Sequence, residues 1–310
     1  MLKPASLKSA LSYPVTVSVT VAAIIVTLQW WSGESIDMLV MDGRVWQKWE
    51  LWRALTSTLP HVNFMHLAFN LYWFWTFGTL LERVYGHVRF AGIILLLAFG
   101  SMLAEFTFLH GGVGLSGVGY GLWGLLWVLE QRDPRFAEAV DPQTSLTFVV
   151  WFFICIATTI TGIMPVANIA HGMGACLGAL LGLSVAGRGN SRSLGMAGAA
   201  LMIAMVIAGS TMLWPRVNLT EEAEAYVENL GITRMQHDDP KGALPYLETS
   251  VKMHHTRAGA WYNLGLVYQE LGRNKEALAA FDRALAMPDA DENIRKVIPE
   301  LKHELLLENH

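Results

Sequence analysis

Seven apolar runs fill the first two thirds of the chain, at about residues 13–31, 66–84, 90–109, 116–129, 146–162, 166–183 and 194–214. At 1.5 Å per residue most are long enough to cross a hydrocarbon core of roughly 30 Å, and they predict transmembrane helices. The fourth is short, as suits a helix whose outer end stops below the surface inside a protein-walled cavity. The first follows Lys3 and Lys8, the charge order of a signal peptide. It lacks a small-residue cleavage site and more spans follow, so it reads as a retained helix. A long amphipathic loop then reaches about Asn63 and carries Trp46, Trp49 and Trp52, the composition of an interfacial segment.

After Trp214 the pattern changes to a repeat of period 34, in which Leu230, Gly231, Ala243 and Leu247 recur as Leu264, Gly265, Ala277 and Phe281. The second copy, Trp261-x2-Leu264-Gly265-x2-Tyr268 with Ala277-x3-Phe281 and Pro288, resembles the tetratricopeptide consensus with its proline one place early. The first copy has Val227 for the tryptophan and Arg234 for the tyrosine. Such repeats pair helices into a superhelix with a concave face that takes partner segments. About three are usually needed for stability, so residues 289–308 are expected to form a capping helix.

Composition separates the same two parts. The chain is 53% hydrophobic and 15% charged, too apolar for an ordinary soluble domain. Residues 1–214 hold 11 basic and 10 acidic side chains, whereas residues 215–310 hold 11 and 16. The expected domains are therefore a membrane domain over 1–214 and a soluble repeat domain over 215–310. Neither has the basic surface that nucleic acid requires, while the membrane domain's lipid contacts are apolar. Cys155 and Cys176 both lie in apolar runs, which argues for packing rather than a disulfide or a metal site. No cofactor is implied. With the N-terminus inside, the inner segments carry Lys3, Lys8, Arg83, Arg89, Arg132, Arg135, Arg188 and Arg192, and the outer ones only Arg44, Lys48 and Arg53. The positive-inside rule then makes the N-terminus cytoplasmic, and seven crossings put the repeats on the periplasmic or extracellular side of a plasma membrane.

The candidate chemistry gathers at one depth. Gly111-Gly112-Val113-Gly114-Leu115-Ser116-Gly117 opens the fourth run, where a helix start leaves amides unpaired beside a hydroxyl. Helices two, four and six run in the same direction, so their first turns share the outer level. There lie His66 and Asn70 on one face, then Ser116, then Asn168 and His171. Polar groups are costly in a membrane and tend to mark function. Gly117, Gly121 and Gly124 on helix four, with Gly174, Gly178 and Gly182 on helix six, let two backbones approach closely. That approach would bring His171 to Ser116 as the base a serine nucleophile needs. Asn168 is a candidate to orient the ring, and His61 and His110 in outer loops are alternative bases. Glu105 reads as a wetted or hydrogen-bonded helix end, Glu82-Arg83 as an inner interfacial ion pair, and the Gly162 to Ala167 loop as part of a gate.

Over about residues 45–185 the chain resembles the rhomboid intramembrane serine proteases. The matches are Trp52-Arg53, His66-x3-Asn70, Gly114-x-Ser116-Gly117 and Ala170-His171-x2-Gly174-x3-Gly178, in order on the expected helices. The resemblance implies an all-α polytopic bundle, a six-helix core over about 13–187 plus one further helix, followed by a short tetratricopeptide α-solenoid. It implies a Ser116/His171 dyad cleaving transmembrane proteins near the outer face. The oxyanion would be held by the Ser116 amide with His66 and Asn70, Gly114 and Leu115 would shape the oxyanion and substrate-binding loop, and Tyr120 would pack on the histidine. Trp52-Arg53 is expected to anchor the first loop. The expected partners are transmembrane substrates, membrane lipid and a protein bound by the repeats. A non-proteolytic membrane adaptor and a small-solute transporter are the competing readings, the latter weakened by the scarcity of mid-span charge.

Overall fold

The computed structural model describes residues 5–42, 45, 50–253 and 257–308; Lys3, Arg44, Trp46, Lys48 and Trp49 lie outside the described residues. All regular structure among the described residues is helical, and the chain divides into two units, Met1–Leu213 and Trp214–His310. The first unit contains α1 (Pro14–Trp31), α2 (Phe64–Tyr85), α3 (His87–Phe108), α4 (Ser116–Glu130), α5 (Pro142–Ile160), α6 (Asn168–Ala186) and α7 (Asn190–Thr211). Proline at the first position of α1 and of α5 needs no amide partner there. The Asn63 side chain caps α2 by accepting the His66 amide at 2.9 Å, and Asp141 caps α5 through Thr144.

Five helices, α1, α3, α5, α6 and α7, are long and apolar enough to cross a membrane. The other two expected spans fall outside that group for different reasons. α2 has 22 residues but carries Glu82 and Arg83 at its inner end and His66 and Asn70 at its outer end. α4 has 15 residues, about 22 Å of helix. Its Leu122, Leu125, Leu126 and Leu129 are all fully buried against Phe74 and Phe77 of α2, Leu97 of α3 and Leu177 of α6. A helix walled by protein has no need to match the bilayer thickness.

α6 lies against α4 backbone to backbone. A Cβ on Gly174 would sit 2.1 Å from the Gly117 carbonyl oxygen, and one on Gly178 would sit 1.9 Å from that of Gly121. From the other side, a Cβ on Gly124 would sit 2.3 Å from the Ala175 carbonyl oxygen. Gly124, Gly174 and Gly178 are therefore backed by facing main chain, the close approach that small residues permit, whereas a Cβ on Gly117 or Gly121 would meet the Ser101 or Leu97 side chain of α3 and one on Gly182 the Val128 side chain.

Glu82 and Arg83 do not pair with each other. Neighbouring helix positions point about 100° apart, and the two side chains go to different partners. The Glu82 carboxylate, 1% exposed, accepts the Val15 and Thr16 amides at 2.9 Å and the Thr16 hydroxyl at 2.7 Å, and meets His87 Nδ1 at 2.7 Å. It thus holds the first turn of α1, where negative charge suits the unpaired amides. Arg83 Nε donates instead to the Tyr13 hydroxyl at 3.1 Å. In the first loop Arg53 is 1% exposed, donates to the carbonyls of Asp37 and Val40, and pairs with Glu50 at 2.6 Å, while Trp52 is half exposed. The arginine ties the loop to itself.

The second unit contains a helical turn at Trp214–Val217, then α8 (Glu221–Gln236), α9 (Pro240–Ser250), α10 (Ala258–Glu270), α11 (Asn274–Ala286) and α12 (Glu292–Glu308). The last apolar run ends as helix at Thr211, and Trp214 packs edge-on against Tyr226 of α8, with ring centroids 5.5 Å apart. The period-34 positions do equivalent work in both hairpins. Gly231 of α8 lies under Leu247 of α9, where a Cβ would come within 2.5 Å, and Gly265 of α10 lies under Phe281 of α11 at 2.4 Å. α12 buries Ile294, Ile298 and Leu305 in the cluster built on Phe281 and Ala284, covering the apolar face of the last hairpin.

Candidate active site

Ser116 is the first residue of α4 and His171 lies in the first turn of α6. Their Oγ and Nε2 atoms are 2.8 Å apart, and the imidazole is 3% exposed. A hydroxyl that donates to Nε2 across this contact requires the ring proton to be on Nδ1. Tyr120, one turn beyond the serine, stacks on the imidazole with centroids 4.6 Å apart and planes at 23°, and its hydroxyl donates to the Phe148 carbonyl at 3.0 Å. The imidazole is thus fixed by a flat ring on one face rather than by a carboxylate at its far nitrogen. His171 Nδ1 is buried without a partner.

Two flanking features place this pair. The Gly114 amide donates to the Ser57 carbonyl at 3.1 Å, and Gly114 has φ +103°, a backbone that only glycine takes readily. A Cβ there would lie 2.6 Å from His66 Cε1, so the loop before Ser116 presses directly on the His66 ring. Glu105 of α3, 2% exposed, accepts the Ala170 amide at 2.9 Å and so caps the start of α6 one residue before His171.

His66 and Asn70 lie one turn apart at the outer end of α2. His66 Nδ1 and Asn70 Nδ2 are both buried and unpaired. His171 Nδ1 shares that condition with them, and each of the three atoms keeps its hydrogen-bonding capacity unspent within the protein.

Other candidates go elsewhere. The Asn168 amide group donates to Thr159 Oγ1 at 2.8 Å and to the Val166 carbonyl at 3.1 Å, so it secures α5 and its following loop rather than the imidazole. That loop, Gly162 to Ala167, folds back on α5, its Ile163 and Met164 amides bonded to the Thr158 carbonyl. His61 is fully buried and engaged at both nitrogens, with Nδ1 2.8 Å from the Leu59 carbonyl and Nε2 accepting the Leu115 amide at 3.3 Å. Burial first, then the neighbouring His66, lower its pKa to about 3, and neither ring nitrogen is left for Ser116. The Leu115 amide is correspondingly taken up by His61. His110 is an exposed loop residue. Among the described residues no three His, Cys, Asp or Glu side chains converge as metal ligands do. The roles of His61 and Glu105 carry no local sequence signal, since their partners lie 54 and 65 residues away.

Comparison with known proteins bears on this arrangement. Residues 48–188 match the Rhomboid domain, and residues 258–287 match the Tetratricopeptide repeat. The chain is 32% identical over 176 residues to a rhomboid protease GlpG of Photorhabdus laumondii, covering 55% of this chain and 61% of that protein. It is 31% identical over 172 residues to the rhomboid protease GlpG of Pectobacterium atrosepticum, covering 54% and 61%. A rhomboid protease GlpG of Yersinia pseudotuberculosis is 31% identical over 175 residues, with the same coverage. The chain thus spans about three fifths of the length of the curated relatives it matches.

Proposed function

We propose that this chain, which matches the Rhomboid domain over residues 48–188 and the Tetratricopeptide repeat over residues 258–287, is an intramembrane serine endopeptidase working through Ser116 and His171. One observation carries the reading: the half-buried Ser116 lies 2.8 Å from the buried His171 imidazole, with the His66 ring packed against Gly114 of the loop that leads into the serine.

In the proposed reaction Ser116 Oγ attacks the scissile carbonyl carbon as His171 Nε2 takes the hydroxyl proton. The tetrahedral oxyanion accepts hydrogen bonds from the Ser116 amide, His66 and Asn70, in a dry site where each such donor is worth roughly 3–4 kcal/mol of transition-state stabilisation. His171 then passes its proton to the leaving amine, which departs and leaves an acyl-enzyme. Water, deprotonated by the same imidazole, releases the acid and regenerates Ser116. Tyr120 holds the imidazole plane through both transfers, and Gly114 leaves room for the His66 ring.

The substrates of this reading are transmembrane proteins cut near the outer face, because Ser116, His66 and His171 all sit in outer first turns when the basic inner loops are cytoplasmic. The same orientation carries the tail beyond Leu213 to the periplasmic or extracellular side, where the repeats bind a partner or substrate segment. Fluorophosphonate labelling in detergent tests the core of the proposal. Wild type is expected to label, and Ser116→Ala and His171→Ala to fail; equal labelling of wild type and Ser116→Ala overturns it. A chain stopped after Trp214 is expected to label normally and to change which membrane proteins lose ectodomains in cells.

A further inference from the structure

The first loop places a second imidazole behind the nucleophile. His61 Nδ1 lies 2.8 Å from the Leu59 carbonyl and its Nε2 accepts the Leu115 amide at 3.3 Å. An amide can only donate and a carbonyl can only accept, so the two contacts together demand a neutral ring with its proton on Nδ1. The ring is fully buried and meets His66 edge-on, with centroids 4.9 Å apart. A Cβ on Gly114 would touch both rings, at 3.3 Å from His61 Cδ2 and 2.6 Å from His66 Cε1. The Gly114–Leu115 peptide unit is therefore seated between the two histidines, and the next residue is Ser116. The seat is itself anchored to α1, where Thr27 Oγ1 lies 3.4 Å from His61 Nδ1 and the Trp31 indole donates to the His61 carbonyl at 2.9 Å.

We infer that His61 is a positioning residue for the Ser116 reaction: by accepting the Leu115 amide it sets the peptide that starts α4, aims the Ser116 amide at the oxyanion position, and backs the His66 ring. It rests on the protease reading above. His61 touches no reacting atom. It turns the Leu115 amide away from the oxyanion, leaving Ser116 as the main-chain donor, and it gives α1 a route to the nucleophile.

Two substitutions separate the hydrogen bond from the bulk of the ring. In His61→Gln the side-chain oxygen reaches the Nε2 position and accepts the Leu115 amide. In His61→Asn the shorter side chain reaches only the Nδ1 position and keeps the Leu59 contact alone. Full-length wild type, both variants and Ser116→Ala are compared in one detergent for rate of fluorophosphonate labelling and for thermal midpoint. With midpoints matching wild type, His61→Asn is expected to label roughly tenfold more slowly, the value of one well-made hydrogen bond, and His61→Gln to stay within about threefold of wild type. Equal rates for Asn and Gln, whether both fast or both slow, overturn the positioning role while leaving the dyad standing. Labelling of wild type no better than Ser116→Ala overturns the protease reading and this one with it. Should either variant fail to fold, nitrogen NMR of histidine-labelled wild type decides: a His61 ring protonated on Nδ1 supports the assignment, and one protonated on Nε2 refutes it.

Discussion

Replacing Gly178 by alanine tests whether contact between the α4 and α6 backbones sets the distance between Ser116 and His171. The added Cβ would lie 1.9 Å from the Gly121 carbonyl oxygen, 2.7 Å from its carbon and 3.0 Å from its Cα. All three atoms are main chain inside a helix, so no rotamer change relieves the clash. Real Cβ contacts stay beyond about 3.0 Å, so α6 must retreat by about 1.1 Å. His171 is seven residues earlier on the same helix and moves with it. If the retreat is directed away from α4, the 2.8 Å Ser116–His171 contact opens to about 3.9 Å, past hydrogen-bond reach. Overpacking of this kind costs about 1–3 kcal/mol, and a misplacement of about 1 Å at reacting groups costs on the order of 100-fold in rate. The assay pairs thermal midpoints in detergent with fluorophosphonate labelling rates. Gly172→Ala on the same helix is the control, because its Cβ would meet only Phe152, at 3.7 Å, and alanine favours helix by up to about 1 kcal/mol. Wild-type rate and midpoint in Gly178→Ala would refute the argument. So would an equal loss in Gly172→Ala, which would point to glycine flexibility instead of close contact.

Glu82→Gln replaces one acceptor oxygen with an amide group facing α1 amides, and the buried site leaves nothing to compensate; a loss of about 2–3 kcal/mol is expected as a lower thermal midpoint, and an unchanged midpoint would contradict the α1 anchoring. Gly265→Ala drives a Cβ to within 2.4 Å of the Phe281 ring. Hydrogen exchange should speed up in α10 and α11 while Ser116 labelling holds, and a fall in labelling would show that the two units are not independent. Asp239 is held below its ordinary value of 3.8 first by the Gly242 amide and then by Arg234. A carboxylate with a lowered folded pKa contributes stability that is present above its unfolded value and lost as pH falls through the folded one. Protection of the Gly242 amide in the full-length chain should therefore be level above about pH 5 and fall only in the acid limb; protection insensitive to acid would show that the carboxylate is not the cap.

The parts of this protein that could be read along the chain are those written in a period. Apolar runs mark the helices because a membrane-facing segment must satisfy its own backbone hydrogen bonds, and the 34-residue spacing marks Gly231 and Gly265 because each lies under a large side chain 16 residues on. Ser116, His66 and His171 share a depth because helices of one direction start at one level, an inference that needs only the count of crossings. What the spacing leaves unspecified is each polar side chain's partner across the bundle. Glu82 could be assigned to its neighbour Arg83 by proximity alone, yet helix geometry points the two apart, and the carboxylate finds the start of α1 66 residues away. Asn168 stands three residues before His171 but faces Thr159, which a helix start offers and a sequence does not reveal. His61 is the sharpest case. A lone loop histidine beside a serine motif reads as a spare base, and only the fold shows both its nitrogens committed and its ring seated against the peptide that carries Ser116. Long-range hydrogen bonds to main-chain groups depend on the backbone's position rather than on the partner's residue type, and so the residues that hold Ser116 and His171 in register leave the faintest trace in the sequence.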